Sequence, residues 1–503
     1  MSRIKFGWSR KEISLDEPIS IPGQHHMRIS EGILDPLYAT ALCVDGGTEN
    51  GLMIFCSLDI TNMRNGFMDI ALEKIAKRKP EIPVNCVIMN ATHTHTSCHM
   101  NHQPEKSLDG IAIYPMEKWR DFATDRVADA VIEAYETRAE GGMAYGYSFA
   151  VVAHSRRAVY LKDQSLGVAP GSSSNGFAVM YGNTNKEDFG GYETGADHFV
   201  NLMYTFDASD KLTGIVINVP CPSQVTEMYN SLSADYWADV RERVEAKYGK
   251  DVYVLTQCAA AGDLSPRILH YKKAQVRRMA LKYDMPYDLK KLKDARSIDY
   301  YNKSMSERKD IADRIMYAVD EVYDWAKKDI QTDVKVEHEY TVLDLHRRMV
   351  TDDEYEYAKQ AIKNVKPEIP ENATAEEERI AMNRYNNVIA RNERVLERYE
   401  NQNPADVTPM RMHVARIGDI AFATNRFELY MDYMHRMQAR SPFLQTFVVQ
   451  LAGEENGSYL PTEKAQANKG YGSSVYESQI SEVGGEQIVE KTLEILNRMA
   501  AED

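Results

Sequence analysis

Residues 51–90 read GLMIFCSLDITNMRNGFMDIALEKIAKRKPEIPVNCVIMN. The opening run GLMIFCSLDI (51–60) is apolar and of strand length, and NGFMDIALEKIAKRKP (65–80) has the pattern of an amphipathic helix stopped by a proline. PVNCVIMN (83–90) is again a strand. Strand, helix and strand in succession are the signature of a mostly parallel sheet flanked by helices. Just upstream, PLYATALCVDG (36–46) reads as a further strand, joined to the first through the turn GGTENG (46–51).

The same logic extends along the chain. MEKWRDFATDRVADAVIEAYETR (116–138) is a helix, and LTGIVINVP (212–220) and DVYVLTQCAAAGD (251–263) are strands on either side of the helix SADYWADVRERVEAKYG (233–249). From Lys272 to Lys328, and again over 351–402, the sequence turns long, charged and helical, which suggests solvated helices outside the fold. Strands return in MHVARIGDIAFATN (412–425) and FLQTFVVQLAG (443–453), before a last helix, GGEQIVEKTLEILNRM (484–499). The expected fold is α/β: a mixed, largely parallel sheet core from residues 1–270 and 403–503, with charged helical insertions over 271–402. No repeat or linker divides the chain, so a single domain spanning 1–503 is expected, although single cores usually stop growing at roughly 250–300 residues.

Bulk composition narrows the function. A net charge of −15 repels phosphate backbones and anionic bilayers, which disfavours nucleic-acid and membrane partners. The first residues, MSRIKFGWSRKEISLDEP, lack the apolar segment of a leader, and the six cysteines contain no CxxC pair, so a reduced, cytoplasmic setting is expected.

Polar residues cluster where strands end. Asp59 ends MIFCSLD, His93 and His95 follow VNCVIMN, and Cys221 follows GIVINV. Asp263 and Ser265 follow VYVLTQ through the small-residue loop CAAAGDLSP, Glu428 follows DIAFATN, and Tyr459 follows TFVVQLAG. Ligands of open parallel sheets bind beyond the carboxyl ends of the strands, so six such exits point to one convergent site. The run NATHTHTSCHM (90–100) supplies His93, His95 and His99. Alternate residues of an ideal strand face opposite sides, so one of His93 and His95 is expected to ligate a metal while the other orients a ligand or the substrate. His99 has a supporting or structural place. Ser265, before Pro266, is a nucleophile if a base lies within reach, or else part of a turn capped by Asp263.

Taken together, these segments resemble the neutral/alkaline (non-lysosomal) ceramidase family. NATHTHTS is similar to that family's SATHTHSG, GDLSP to GDVSP, and ATNRFELY occupies the place of LPGEFT. SYLPTEKAQANKGYG is similar to YVTTPEEYAAQGYEG, and the arginines of AHSRRAVY match the family's NR segment. The order is kept over almost the whole chain. The resemblance implies zinc held by His93, Glu428 and Tyr459, with Ser265 as nucleophile. It assigns His95, Arg156 and Tyr471 to the substrate carbonyl or its oxyanion, leaving Asp263 among the catalytic candidates and Asp59 and His99 among substrate-binding ones.

Two departures bear on the substrate. The family draws a further zinc histidine from a region that here reads GIVINVPCPSQVTEM, where Cys221 or Pro222 takes its place. A Cys221 thiolate would complete a four-ligand set. TSCHM stands where the family has the glycine-rich SGPGG, which implies a reshaped pocket. No leader and no C-terminal β-sandwich domain are expected, and the expected activity is that of a zinc-dependent hydrolase cleaving an amide in a small, soluble, polar substrate, sugar-like or otherwise hydrophilic, rather than ceramide. A homo-oligomer is compatible with this. The alternatives are a carbohydrate-active enzyme using Asp59, Asp263 and Glu428 with little or no metal, and a catalytically degenerate binding protein.

Overall fold

A computed structural model describes residues 3–24, 28–100, 112–165, 176–288, 290–295, 297–455 and 457–501. Alternation within Leu52–Leu58 shows how the layers form. Met53 and Phe55 enter one apolar cluster, and Ile54, Cys56 and Leu58 enter another on the opposite face. The strand is thus buried on both sides, which is why its sequence is apolar without interruption.

That strand belongs to an eight-stranded sheet in the spatial order Tyr253–Cys258, Leu212–Val219, Phe199–Asp207, Ala139–Phe149, Lys5–Glu12, Tyr38–Asp45, Leu52–Leu58, Val87–Ala91. One face carries helices, among them Phe67–Arg78, Met116–Glu136, Tyr236–Tyr248 and Ile298–Ala326. The other packs on a four-stranded sheet ordered Val336–His346, Val407–Ile417, Ile420–Thr424, Gln445–Val449. Phe55 meets Phe422 across this seam at 5.0 Å between ring centroids, and the helix Glu482–Ala501 packs on the second sheet. Among the described residues no helix is long and apolar enough to cross a membrane.

The sheet is mixed and flanked by helices, as expected, but its parallel share is smaller. Leu52–Leu58 with Val87–Ala91 and Leu212–Val219 with Tyr253–Cys258 are parallel. The other ladders of the large sheet are antiparallel. Unbroken apolar strands usually mark parallel sheets covered by helices on both faces. Here a second sheet supplies the second cover, and the same pattern arises in antiparallel strands.

The span 271–402 also departs from a purely helical insertion. Val336–His346 (VEHEYTVLDLH) is the edge strand of the second sheet, paired along its length with Val407–Ile417. Being half-exposed and charged, it lacks an apolar signature. Ile298–Ala326 buries Ile311, Ile315, Val319 and Val322 against the main core rather than standing in solvent. Asp352–Asn364 and Ala375–Asn401, both opened by capping boxes, share a small separate core with Val350 and Val475.

Candidate functional site

The parallel strand pairs of both sheets end on one side, where the backbone knits them together. Thr92 N donates to Leu58 O, Ala91 N to Leu451 O, Ala259 N to Val219 O, and Gln450 N to Cys258 O. Beyond these ends, Glu428–Leu429 and Tyr459–Leu460 form a two-residue parallel ladder with Glu428 opposite Tyr459. Gln450 Oε1 fixes that ladder to the neighbouring loop by accepting from Leu429 N and Ala261 N.

His93 sits just past Val87–Ala91 in the left-handed region, at φ 62°. This costs a non-glycine residue about 1–2 kcal/mol and is retained only where the surroundings demand it. The consequence is directional. Strand alternation is broken, and both imidazoles turn to the same place, with His93 Nε2 3.3 Å from His95 Nε2. The expectation that they face opposite sides holds only for an ideal strand. His93 Nδ1 is 2.9 Å from the Thr61 carbonyl, leaving Nε2 towards Glu428 Oε2 at 3.4 Å.

Arg156 closes the group. Its Nη2 donates to Tyr459 OH at 3.1 Å and to Gly262 O at 2.9 Å, and lies 3.5 Å from Glu428 Oε2. Its Nη1 donates to Tyr181 OH. The Tyr471 ring meets Tyr459 edge-on at 5.6 Å. Burial works against the Glu428 carboxylate, yet His93 and Arg156 outweigh it and bring its pKa down to about 2. Burial also lowers the His93 imidazole, but the Glu428 charge more than compensates and leaves it above its ordinary value.

Behind His95 stands a residue that sequence reasoning missed. Glu227 Oε2 is 2.8 Å from His95 Nδ1, and Arg267 pairs with the other carboxylate oxygen. Arg28 ties the same corner, donating to the carbonyls of Glu227 and His95 at 2.6 Å each. Burial opposes ionisation of Glu227, but Arg267 and His95 prevail and hold its pKa at about 2. Burial lowers the His95 imidazole in spite of Glu227. A carboxylate on one ring nitrogen with the other presented to the site is the arrangement that orients a general base. The available signal was that Glu227 is the one acidic side chain in the loop PCPSQVTEMYN. Gln224, from that same loop, donates to Tyr181 OH at 2.7 Å while its buried Oε1 has no hydrogen-bond partner among the described residues.

Other expected residues have different surroundings. The Cys221 thiol points to Val152 O at 3.5 Å, and burial drives its pKa well above the ordinary thiol value. It is not gathered with His93 and Glu428: among the described residues no three His, Cys, Asp or Glu side chains form a metal-holding group. Asp59 is fully buried in a two-pronged ion pair with Arg241, at 2.7 and 2.9 Å, and accepts from Tyr38 N, so its oxygens anchor a helix to the sheet rather than face a substrate. Asp263 accepts from Met431 N and Thr194 Oγ1, which makes it a tie between its loop and the Glu428 segment. Ser265 Oγ accepts from Arg267 N at 3.2 Å, and among the described residues it has no imidazole hydrogen bond. His99 N donates to Ser20 O at the rim of the loop.

Two donors each about 2.0–2.1 Å from one tetrahedral zinc lie roughly 3.3 Å apart. The 3.4 Å between His93 Nε2 and Glu428 Oε2 fits one such edge. The Thr61 carbonyl orients the imidazole as an outer partner of a metal ligand does, and the third donor available is the Tyr459 hydroxyl oxygen.

No protein-family profile matches this chain, and no curated protein matches it by sequence. Solved structures do. A crystal structure of neutral ceramidase from Pseudomonas aeruginosa aligns with a TM-score of 0.63 at 15% identity, covering 99% of this chain and 75% of that one. A ceramidase complexed with C2 aligns with a TM-score of 0.65 at 12% identity, covering 100% and 76%. The chain has the neutral ceramidase fold, at an identity where the likeness speaks for the fold alone.

Proposed function

We propose that this chain is a metal-dependent hydrolase of the neutral ceramidase type, cleaving an amide bond in a small polar substrate. The observation that carries the reading is the convergence of His93, Arg156, Glu428 and Tyr459 from four separate segments onto one buried point at the strand ends. A catalytic centre explains why a left-handed histidine, a buried carboxylate and a buried arginine are held together at an energetic cost.

Zinc held by His93, Glu428 and Tyr459 would polarise the substrate carbonyl and ease ionisation of a hydroxyl beside it. The chain's own groups supply the rest. His95, oriented by Glu227, takes the proton from the attacking hydroxyl at Nε2 and returns it to the departing amine. Arg156 and the Tyr471 hydroxyl hold negative charge developing on the carbonyl oxygen. Ser265 is the protein nucleophile in this reading; its acyl ester is then cleaved by a water that gives its proton to His95, which releases the carboxylate and returns the proton to the serine oxygen. Gln224 Oε1 accepts a hydrogen bond from the substrate's N–H or hydroxyl. The glycoside-cleaving alternative needs one carboxyl group free to donate a proton. Asp59 and Asp263, two of the groups it would use, are both committed to internal partners.

The test is turnover of a panel of short N-acyl amines, with glycosides as controls, before and after chelation. Amide cleavage that chelation abolishes, that zinc restores and that is absent in Glu428→Ala supports the reading. Undiminished cleavage in the metal-stripped protein, or release of sugar alone, rejects it.

A further inference from the structure

A cavity of about 540 Å³ lies against the candidate site, between the loop that follows Ser265 and the helices Lys272–Lys282 and Ile298–Ala326. It is within the size range of small-molecule pockets. Four of its lining residues tie it to the site. Pro266 directly follows Ser265, and Val225 directly follows Gln224. Arg267 is the ion-pair partner of Glu227 behind His95, and Tyr181 accepts hydrogen bonds from Arg156 and Gln224.

The wall chemistry is lopsided. In a chain of net charge −15, this cavity is lined by Arg267, Lys272, Lys273, Lys293 and Lys303 against the single carboxylate of Glu307. Glu307 is taken by Lys303 at 2.6 Å, and Arg267 is taken by Glu227. Lys272, Lys273 and Lys293 have no carboxylate within ion-pair distance among the described residues. The helix that starts at Lys272 has no side-chain cap and no acidic residue in its first turn, so its N-terminal dipole adds positive potential there. Leu269, Val276 and Leu292 supply an apolar wall.

We propose that this cavity is a subsite for an anionic moiety of the substrate, so that the amide cleaved belongs to a small compound bearing a carboxylate or phosphate on a short apolar stem. The inference rests on the hydrolase reading for its substrate, but the subsite is a binding claim with its own readout. The charged helical insertion becomes the element that selects the substrate. Its lysines concentrate an anion that the rest of the surface repels.

The test is equilibrium binding to the full chain of two short N-acyl compounds, identical except that one ends in a carboxylate and the other in a primary amide, with inorganic phosphate as competitor. The carboxylate is expected to bind at least about tenfold more tightly, the equivalent of roughly 1.4 kcal/mol. The gap should close in Lys272→Gln/Lys273→Gln and in Lys293→Gln, and shrink between about 0.05 and 0.5 M salt. Competition by phosphate assigns a phosphorylated substrate, and its failure assigns a carboxylate. Equal binding of the two compounds, or a preference that survives the lysine substitutions, overturns the proposal. Metal content separates the two ideas: bound zinc without anion preference sinks the subsite alone, and anion preference in a protein that neither binds metal nor cleaves amides sinks the hydrolase reading alone.

Discussion

Arg156 and Arg157 are adjacent in the chain and serve different segments. Arg156 reaches Tyr459 OH and Glu428, whereas Arg157 is fully buried against Glu193 at 2.6 Å and donates to the carbonyls of Ala465, Lys469 and Tyr471. One arginine faces the candidate site, and the other fastens the loop that brings Tyr471 to it.

The two should therefore separate on substitution. Arg157→Ala leaves Glu193 buried without its cation and is expected to cost about 3–5 kcal/mol of stability. Chemical denaturation would measure this, and proteolytic nicking near 465–473 should increase. Arg156→Lys keeps the charge but cannot serve Gly262, Tyr181, Tyr459 and Glu428 together. It is expected to lower kcat by about 10²–10³-fold while the fold survives.

Asp59 provides the converse case. Asp59→Asn breaks a two-pronged pair with Arg241 that lies out of solvent, so the expected loss is about 3–5 kcal/mol in stability. KM should be unchanged at a temperature where the variant is folded. A selective rise in KM with normal stability would return Asp59 to the substrate-binding residues.

Glu227 sets an acid limb. Its pKa falls from 4.5 unfolded to about 2 folded. The depressed folded value means its contribution, about 3 kcal/mol, is present above pH 4.5 and is lost as pH falls towards 2. Melting temperatures of the native protein should drop steeply over that window. Glu227→Gln should melt lower at pH 6 and show a flatter dependence below pH 4.5.

Gly262 is the contact point behind Glu428, the proposed metal ligand. A Cβ there would lie 2.4 Å from Glu428 O and 2.8 Å from Glu428 C. Gly262→Ala must push the Glu428–Leu429 segment aside, and a displacement near 1 Å at a catalytic group costs about 10²-fold in rate. Steady-state kinetics should show that loss together with weaker zinc retention.

How much of this was legible depended on the kind of signal each residue left. The unit from Leu52 to Ala91 could be read because apolar runs, a proline stop and helical spacing all agree. The antiparallel majority could not, since a strand covered by a second sheet looks like one covered by helices. Val336–His346 was hidden by its edge position, which lets charges stand on a strand. His93, Glu428 and Tyr459 stood out as strand-end residues, but nothing in NATHTHTS announces the left-handed turn that aims His93. Glu227 was lost as a lone acid in a polar loop, because its significance arises only when Arg267 and His95 fold onto it. For Cys221 the place at a strand end is legible in the sequence, whereas the contact of its thiol with Val152 O is not, because side-chain direction cannot be read from position alone.

The central claim is tested most directly by anomalous diffraction at the zinc edge from crystals of the full chain grown with zinc. The account predicts one peak about 2.0–2.2 Å from both His93 Nε2 and a Glu428 carboxylate oxygen, lost in Glu428→Ala. No peak there, or a peak on the Cys221 thiol instead, would contradict it.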